Sequence, residues 1–149
     1  MVLAASFMWA LNHWFPVTQL IQDPWRRVGW IPVILGAAID VSSVLRFHRV
    51  GTTVNPLDPS KTSKLVTTGL YRISRNPMYF GMLVILSGWA SWLGSASPFL
   101  VLPVFVVVIT TLQIIPEEKM LAKLFGEEYF IYSRCVRRWL GRYGSSGGA

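Results

Sequence analysis

Three long apolar stretches restrict the folds open to this chain more than any other feature. They cover residues 28–45, 79–93 and 99–115. A helix needs about 20 apolar residues to cross the hydrocarbon core of a bilayer. The last two stretches are somewhat shorter than this, and the uncharged segment 94–98 between them predicts a tight helical hairpin. The pattern therefore predicts membrane-spanning helices.

A weaker candidate span covers residues 2–21, where Asn12, His13 and Pro16 interrupt the apolar run. It has neither a basic N-terminal region nor a small-residue cleavage site, so a signal peptide is not indicated. We predict an all-α integral membrane bundle of about four spans with a C-terminal amphipathic cytosolic helix. Residues 1–143 are expected to form one transmembrane domain, and the small residues 144–149 a disordered tail.

The distribution of charge supports the membrane interpretation and orients it. Only 14% of the residues are charged, whereas soluble domains have about 25%. Of the 14 Lys and Arg residues, all but Arg26 and Arg27 fall in the loop after residue 45 or in the tail. The positive-inside rule places that loop and the tail in the cytoplasm. Because the basic residues flank apolar spans, they predict membrane anchoring and no nucleic-acid partner.

Few residues of this chain are suited to metal or thiol chemistry. Cys135 is the single cysteine, and His13 and His48 lie far apart in sequence, so no metal-ligand spacing appears. We interpret Cys135 as an inert thiol. Asp40 lies inside the second span, where an acid is a functional candidate by default. We favour a structural role for it, paired with an arginine of the following loop or close to the interface.

Two polar segments are the strongest candidates for function. The loop 51–76 is too long for a plain connector, and the tail 117–143 has apolar residues at roughly helical spacing among charges. At its start, Glu117 and Glu118 follow Pro116. This pattern is typical of a helix start, where the helix dipole favours acids. It would equally suit a pocket for an ammonium or sulfonium cation, and the spacing leaves both interpretations open.

An ordered set of short motifs occurs along most of the chain. They are GTTVNP (51–56), LVTTGLY (65–71), RNPMY (75–79), the pair Glu117-Glu118, FGEEYFIY (125–132) and Val136. Each motif is weak alone, but the order, with the apolar hairpin between RNPMY and the glutamates, is specific. Over roughly residues 28–139 the chain resembles the isoprenylcysteine carboxyl methyltransferase family, which is related to the phospholipid N-methyltransferases.

The resemblance implies a multi-span helical enzyme that binds S-adenosylmethionine on its cytosolic side, next to membrane lipid. It implies a donor pocket and, on the acceptor side, two candidate catalytic residues, Gln113 and Arg75. The residues that the resemblance assigns to the donor pocket are Ser63, Lys64, Leu65, Val66, Tyr71, Asn76, Pro77, Met78, Tyr79 and Glu117.

The chain departs from the family pattern at positions that bear on the substrate. Asn76 stands where the family has histidine, and the residue types of Ser63 and Lys64 also differ. Gln113 replaces an arginine that holds the substrate carboxylate in isoprenylcysteine enzymes. Glutamine lacks the charged fork that binds a carboxylate, so a carboxylate acceptor is not favoured.

Several functions remain open from the sequence. We expect Glu117 to hold the donor's amino group and Tyr71 and Tyr79 to lie near its sulfonium. We expect a lipophilic or small acceptor, and a phospholipid or amine N-methyltransferase fits the same motifs. A sterol-type reductase lacks support, because no Gly-rich phosphate loop occurs. A non-enzymatic four-span transporter or assembly protein would leave the ordered motifs unexplained.

Overall fold

The computed structural model describes residues 1–50 and 64–143, with side chains up to residue 46 in the first range. The described part is helical and contains no β-strand, only isolated bridges. Its helices are α1 (Val2–Trp14), α2 (Trp30–Val50), α3 (Pro77–Leu93), α4 (Val101–Ile109), α5 (Ile115–Phe125) and α6 (Glu127–Cys135). Short 3-10 turns cover Trp25–Gly29, Gly69–Arg72 and Ser97–Leu100. The predicted helical class is therefore confirmed for these residues.

Two helical stretches are long and apolar enough to cross a membrane. They are Trp25–Arg46 and Ser97–Phe125, and the apolar helix Pro77–Leu93 is shorter. Only 17% and 22% of the residues in their apolar windows are buried inside the protein. Apolar surface of this extent needs a non-aqueous environment or a partner. The helices therefore fit a protein that associates with a membrane.

The first and last predicted spans differ in length from the helices. α1 ends at Trp14 after 13 residues, which corresponds to about 20 Å of helix. Pro16 explains the early end, because the residue before a proline is disfavoured in helical geometry. At the other end, helix continues through Pro116 to Phe125, beyond the predicted limit at residue 115.

A π-helical turn, Thr110–Ile114, joins α4 to α5. Pro116 lies at the start of α5. Proline has no N–H and its ring clashes with the carbonyl four residues earlier, so it normally kinks a helix. A locally widened turn is one way to continue the helix past such a residue, and π turns are frequent at functional sites.

The chain divides into two compact units, Met1–Ala38 with Gly81–Thr111 and Ile39–Phe80 with Leu112–Ala149. In the first unit, α1 packs on the turn Ser97–Leu100 and on α4. Its core contains Met8, Leu86, Ala90, Leu93, Val101 and Phe105. The Trp89 indole donates to the Ala5 carbonyl, which ties α3 to α1.

Four glycines bring α2, together with the 3-10 turn that precedes it, into close contact with α3 in the first unit. A Cβ at Gly29 would lie 2.6 Å from the carbonyl oxygen of Gly88, and one at Gly36 would lie 2.6 Å from that of Gly81. Both distances are too short for any side chain. Small residues allow membrane helices to approach until their backbones touch, so this glycine pattern determines the α2–α3 packing.

The second unit contains α5, α6 and the segment around Tyr71. α5 packs against α6, and Tyr129, Tyr132 and Val136 form a small buried core with Leu65 packed against it. The C-terminal segment is joined to the segment that precedes α3 by backbone hydrogen bonds from Arg75 N to Arg137 O and from Gly141 N to Ile73 O. These bonds hold residues 70–76 in a defined shape.

Candidate functional site

The residue pair on which the predicted pocket depends is in direct contact. The Tyr79 hydroxyl donates to Glu117 Oε1 at 2.6 Å, although the two residues are 38 positions apart. Tyr79 lies in the first turns of α3 and Glu117 in the first turn of α5. Both residues are partly buried. The fold therefore brings two of the predicted donor-site residues together.

Gln113 joins this pair from the π turn. Its Nε2 donates to the same Glu117 Oε1 at 2.7 Å. Gln113 precedes Glu117 by one helical turn, and the carboxylate thereby orients the Gln113 amide group. Neither hydrogen bond uses Glu117 Oε2, the second oxygen of the carboxylate. The Glu117 carboxylate is thus held by two neutral hydrogen-bond donors at Oε1, and Oε2 takes part in neither bond.

Tyr71 is a further predicted donor-site residue, and it lies in the same unit as this group. Its side chain is buried, and burial, followed by Tyr132, Glu117, Tyr79 and Asp40, raises the pKa of its phenol. The Tyr132 hydroxyl donates to the Tyr71 backbone carbonyl at 2.7 Å and so fixes the segment. Tyr71 is therefore a buried ring whose phenol remains neutral.

A cleft of about 270 Å³ lies beside Tyr71. It is lined by Ser42, Ser43, Leu45, Arg46, Gly69, Leu70 and Tyr71. Gly69 has a positive φ of 67°, a conformation that glycine adopts without strain. The Arg46 Nε donates to Thr68 Oγ1 at 3.1 Å across the same region. The cleft is thus formed by α2 and the LVTTGLY segment.

Arg75 belongs to an ion-pair network. Its Nη1 lies 3.3 Å from Glu118 Oε1, and both side chains are 12% exposed. Arg138 donates through Nε and Nη2 to the two oxygens of Glu118, the shortest distance being 2.7 Å. The Tyr129 hydroxyl accepts a longer bond from Arg75 at 3.4 Å. This network joins three segments, so Arg75 has a structural partner, and its catalytic role stays a prediction.

The other predicted donor-site residues are distributed between the core and the surface. Val66 is buried, and Leu65 packs against the core of the second unit. Asn76 donates from Nδ2 to the Arg138 carbonyl oxygen at 3.2 Å, so its amide holds the C-terminal segment. Lys64 is exposed.

Pro77 and Met78 begin α3, and Pro77 is buried. Ser63 lies outside the described residues. Spacing treats the glutamate pair as one feature and the resemblance assigns only Glu117 to the donor pocket, and the structure gives the two glutamates different partners. Glu117 contacts Tyr79 and Gln113, and Glu118 contacts arginines. Arg138 was not predicted as a site residue. Its position shortly after the FGEEYFIY motif is the sequence signal that could have identified it.

Comparison with known proteins identifies the family of this chain. The family described as phospholipid methyltransferase matches residues 25–128, more than half of the chain. The chain belongs to the phospholipid methyltransferase family. Like its family, the protein is a membrane methyltransferase, and the predicted enzyme class is confirmed.

Individual relatives of this methyltransferase point the same way. A probable protein-S-isoprenylcysteine O-methyltransferase of Oryza sativa subsp. indica is 31% identical over 153 aligned residues, 93% of this chain and 74% of the relative. Protein-S-isoprenylcysteine O-methyltransferase A of Arabidopsis thaliana is 29% identical over 127 residues, 80% and 64% of the two chains. An uncharacterized protein of Haemophilus influenzae is 44% identical over 63 residues, 42% of this chain and 100% of that protein. No solved structure matches.

Proposed function

We propose that this methyltransferase takes its methyl group from S-adenosylmethionine in a pocket built around Glu117, Tyr79 and Tyr71. The observation that supports this most strongly is the shared hydrogen bonding of Tyr79 and Gln113 to one oxygen of Glu117. A carboxylate held in this way can accept hydrogen bonds from an ammonium group through its other oxygen.

The residues present suit such a donor. When bound, S-adenosylmethionine supplies a methyl group activated by a sulfonium cation. Glu117 offers a carboxylate to its amino group, and the rings of Tyr71 and Tyr79 offer aromatic faces. An aromatic face attracts a cation by about 0.5–2 kcal/mol. The cleft of about 270 Å³ beside Tyr71 adds partly buried space on the same unit.

Catalysis by these residues would consist of orientation and exclusion of water. Glu117 would fix the amino end of the donor, and Tyr71 and Tyr79 would line the space around the transferred methyl group. Gln113, held by Glu117, would direct its carbonyl oxygen or remaining N–H toward the acceptor. Correct orientation of two reactants alone can supply a large part of the rate acceleration.

Donor binding tests this proposal directly. Purified protein in detergent should bind S-adenosylmethionine in calorimetry, and Glu117→Gln should weaken binding by about tenfold to a hundredfold, since a charge-assisted hydrogen bond contributes about 1.5–3 kcal/mol. Glu127→Gln, on the exposed start of α6, is the matched control and should bind normally. No binding by the unmodified protein, or equal binding by both variants, would refute the donor site.

We further propose that the protein crosses the membrane several times, with this site at the cytoplasmic face and α6 lying at the membrane surface. The distribution of basic residues supports that orientation, and Phe130 and Ile131 are exposed apolar side chains on α6. Cys135, the single cysteine, is exposed at the end of α6. A membrane-impermeant maleimide should label it only after the cells are permeabilised. Labelling in intact cells would show that α6 lies on the opposite side of the membrane and would contradict the proposed orientation.

A further inference from the structure

The first unit contains a cleft that takes no part in the proposed donor site. Its volume is about 330 Å³, and its polar lining consists of Asn12, Asp23, Arg26 and Arg27. These residues belong to the first unit, whereas Glu117 belongs to the second. The cleft therefore has its own set of charged and hydrogen-bonding side chains, which the methyl transfer leaves unexplained.

Hydrogen bonds between the segment before α2 and the end of α3 hold the walls of this cleft. The backbone N–H groups of Leu20 and Ile21 donate to the Gly94 carbonyl at 2.8 Å and 3.0 Å. Arg26 donates from Nε to the Ile21 carbonyl at 3.0 Å and from Nη2 to Gln19 Oε1 at 2.5 Å. The Arg26 guanidinium is therefore held in one position at the cleft.

Three lining side chains keep hydrogen-bond donors that have no acceptor among the described residues. Arg26 uses Nε and Nη2, which leaves Nη1. Asn12 accepts a bond from the Ser95 hydroxyl at Oδ1, which leaves its Nδ2. The guanidinium of Arg27 is exposed and has neither a hydrogen bond nor an ion pair within the described part of the chain. Several such donors around one cleft suit an anion with several acceptor oxygens, such as a phosphate group.

The charges of the lining indicate how much negative charge the anion carries. Arg26 and Arg27 oppose the exposed acid Asp23, so the lining has one net positive charge. A group with a single negative charge, such as a phosphodiester, matches it. A zwitterionic head group gains little net attraction from this charge, because its own charges cancel.

Tryptophan rings indicate that the anion belongs to a lipid. Trp9 and Trp92 line the same cleft and are 51% and 40% exposed. Trp25 and Trp30, at either end of the turn that carries the two arginines, are exposed as well. Tryptophan is enriched where lipid head groups meet the hydrocarbon core. A soluble anion would leave these rings in water, whereas the chains of a lipid would cover them.

We propose that this cleft binds the head group of an anionic phospholipid, a phosphodiester with one negative charge. Arg27 and Arg26 Nη1 donate to its phosphate oxygens, Asn12 Nδ2 donates to a further head-group oxygen, and the acyl chains lie against Trp9 and Trp92. In the proposed orientation the lipid belongs to the non-cytoplasmic leaflet. The lipid is bound and not methylated, so the inference does not depend on the proposed methyl donor.

Native mass spectrometry of the full chain in a neutral detergent measures this binding. Dioleoylphosphatidylglycerol should bind about fivefold more tightly than dioleoylphosphatidylcholine, which has the same chains but no net charge. Glycerophosphoglycerol, the same head group without chains, should bind far more weakly than the lipid. Equal affinity for the two lipids would overturn the recognition of charge. Equal affinity for the chain-free head group would overturn the assignment to a lipid.

Variants of the lining locate the binding in the cleft. Arg27→Gln should weaken phosphatidylglycerol binding about fivefold, the effect of one basic residue beside an anionic lipid, and Arg27→Lys should retain most of the affinity. Asp23→Asn removes the opposing charge and should tighten binding. Arg134→Gln is the matched control, since it removes one exposed charge from α6 in the second unit, and it should bind as the unmodified protein does. Equal losses for Arg27→Gln and Arg134→Gln, or weaker binding by Asp23→Asn, would overturn the proposed site.

Discussion

Glu118 offers the sharpest test of how the C-terminal segment is held. Its carboxylate contacts Arg138 through both oxygens and Arg75 through one, and only 12% of its side chain is exposed. Glu118→Gln would keep the shape of the side chain but remove the charge, leaving Arg75 as a nearly buried cation. We expect this change to destabilise the fold.

The magnitude follows from the two contacts. Breaking one partner of a buried ion pair costs about 3–5 kcal/mol, but Arg138 is 37% exposed, and solvent reduces its share. The glutamine oxygen also retains one hydrogen bond. We therefore expect a loss of about 2 kcal/mol in the free energy of unfolding, or roughly 4–8 °C in melting temperature for a chain of this size.

Thermal unfolding in detergent measures this loss, and Glu128→Gln provides a matched control. Both acids lie in the first turn of a helix, so the helix-dipole contribution is similar in the two variants. Glu128 is exposed, and its replacement should change stability by less than about 0.5 kcal/mol. Equal shifts for the two variants would show that the ion-pair network does not hold the segment.

Three further predictions concern other parts of the molecule. Tyr79→Phe removes the 2.6 Å bond that orients Glu117. Because a hydrogen bond to a charged group contributes about 1.5–3 kcal/mol, its loss should leave the carboxylate poorly oriented and weaken donor binding in calorimetry by roughly tenfold. Gly88→Val places a side chain against the Gly29 carbonyl, which a Cβ would approach to 2.5 Å, and should lower the free energy of unfolding by more than about 2 kcal/mol. Burial raises the pKa of the Tyr132 phenol. The contribution of the neutral phenol to stability is therefore complete below about pH 10 and falls as the pH rises through the folded-state pKa. Tyr132→Phe should reduce the loss of melting temperature at alkaline pH.

Each of these has a result that would contradict it. Donor binding by Tyr79→Phe equal to that of the unmodified protein would remove Tyr79 from the site. An unchanged melting temperature for Gly88→Val, compared with Ala37→Val on the exposed side of α2, would exclude the close glycine contact. For Tyr132, an unaltered alkaline slope would mean that its phenol does not contribute.

The membrane helices and the family could be predicted from sequence because their signals are local. An apolar run such as residues 79–93 must avoid water wherever it lies, and α3 indeed covers Pro77–Leu93. The ordered motifs identified the family without any knowledge of their contacts. Helix ends were less certain, because Pro16 ends α1 early whereas Pro116 is accommodated inside a helical stretch.

Hydropathy and residue type alone determined that this chain has membrane-compatible helices and two acidic positions, Asp40 and the glutamate pair, that need an explanation. Tertiary structure alone decided which acid has which partner. Glu117 meets Tyr79 across 38 positions, Glu118 meets Arg138 across 20, and Asp40 Oδ1 has no hydrogen-bond partner among the described residues. The physical reason is that the contacts of a charged side chain depend on which distant segments pack beside it, and local sequence carries no record of that packing.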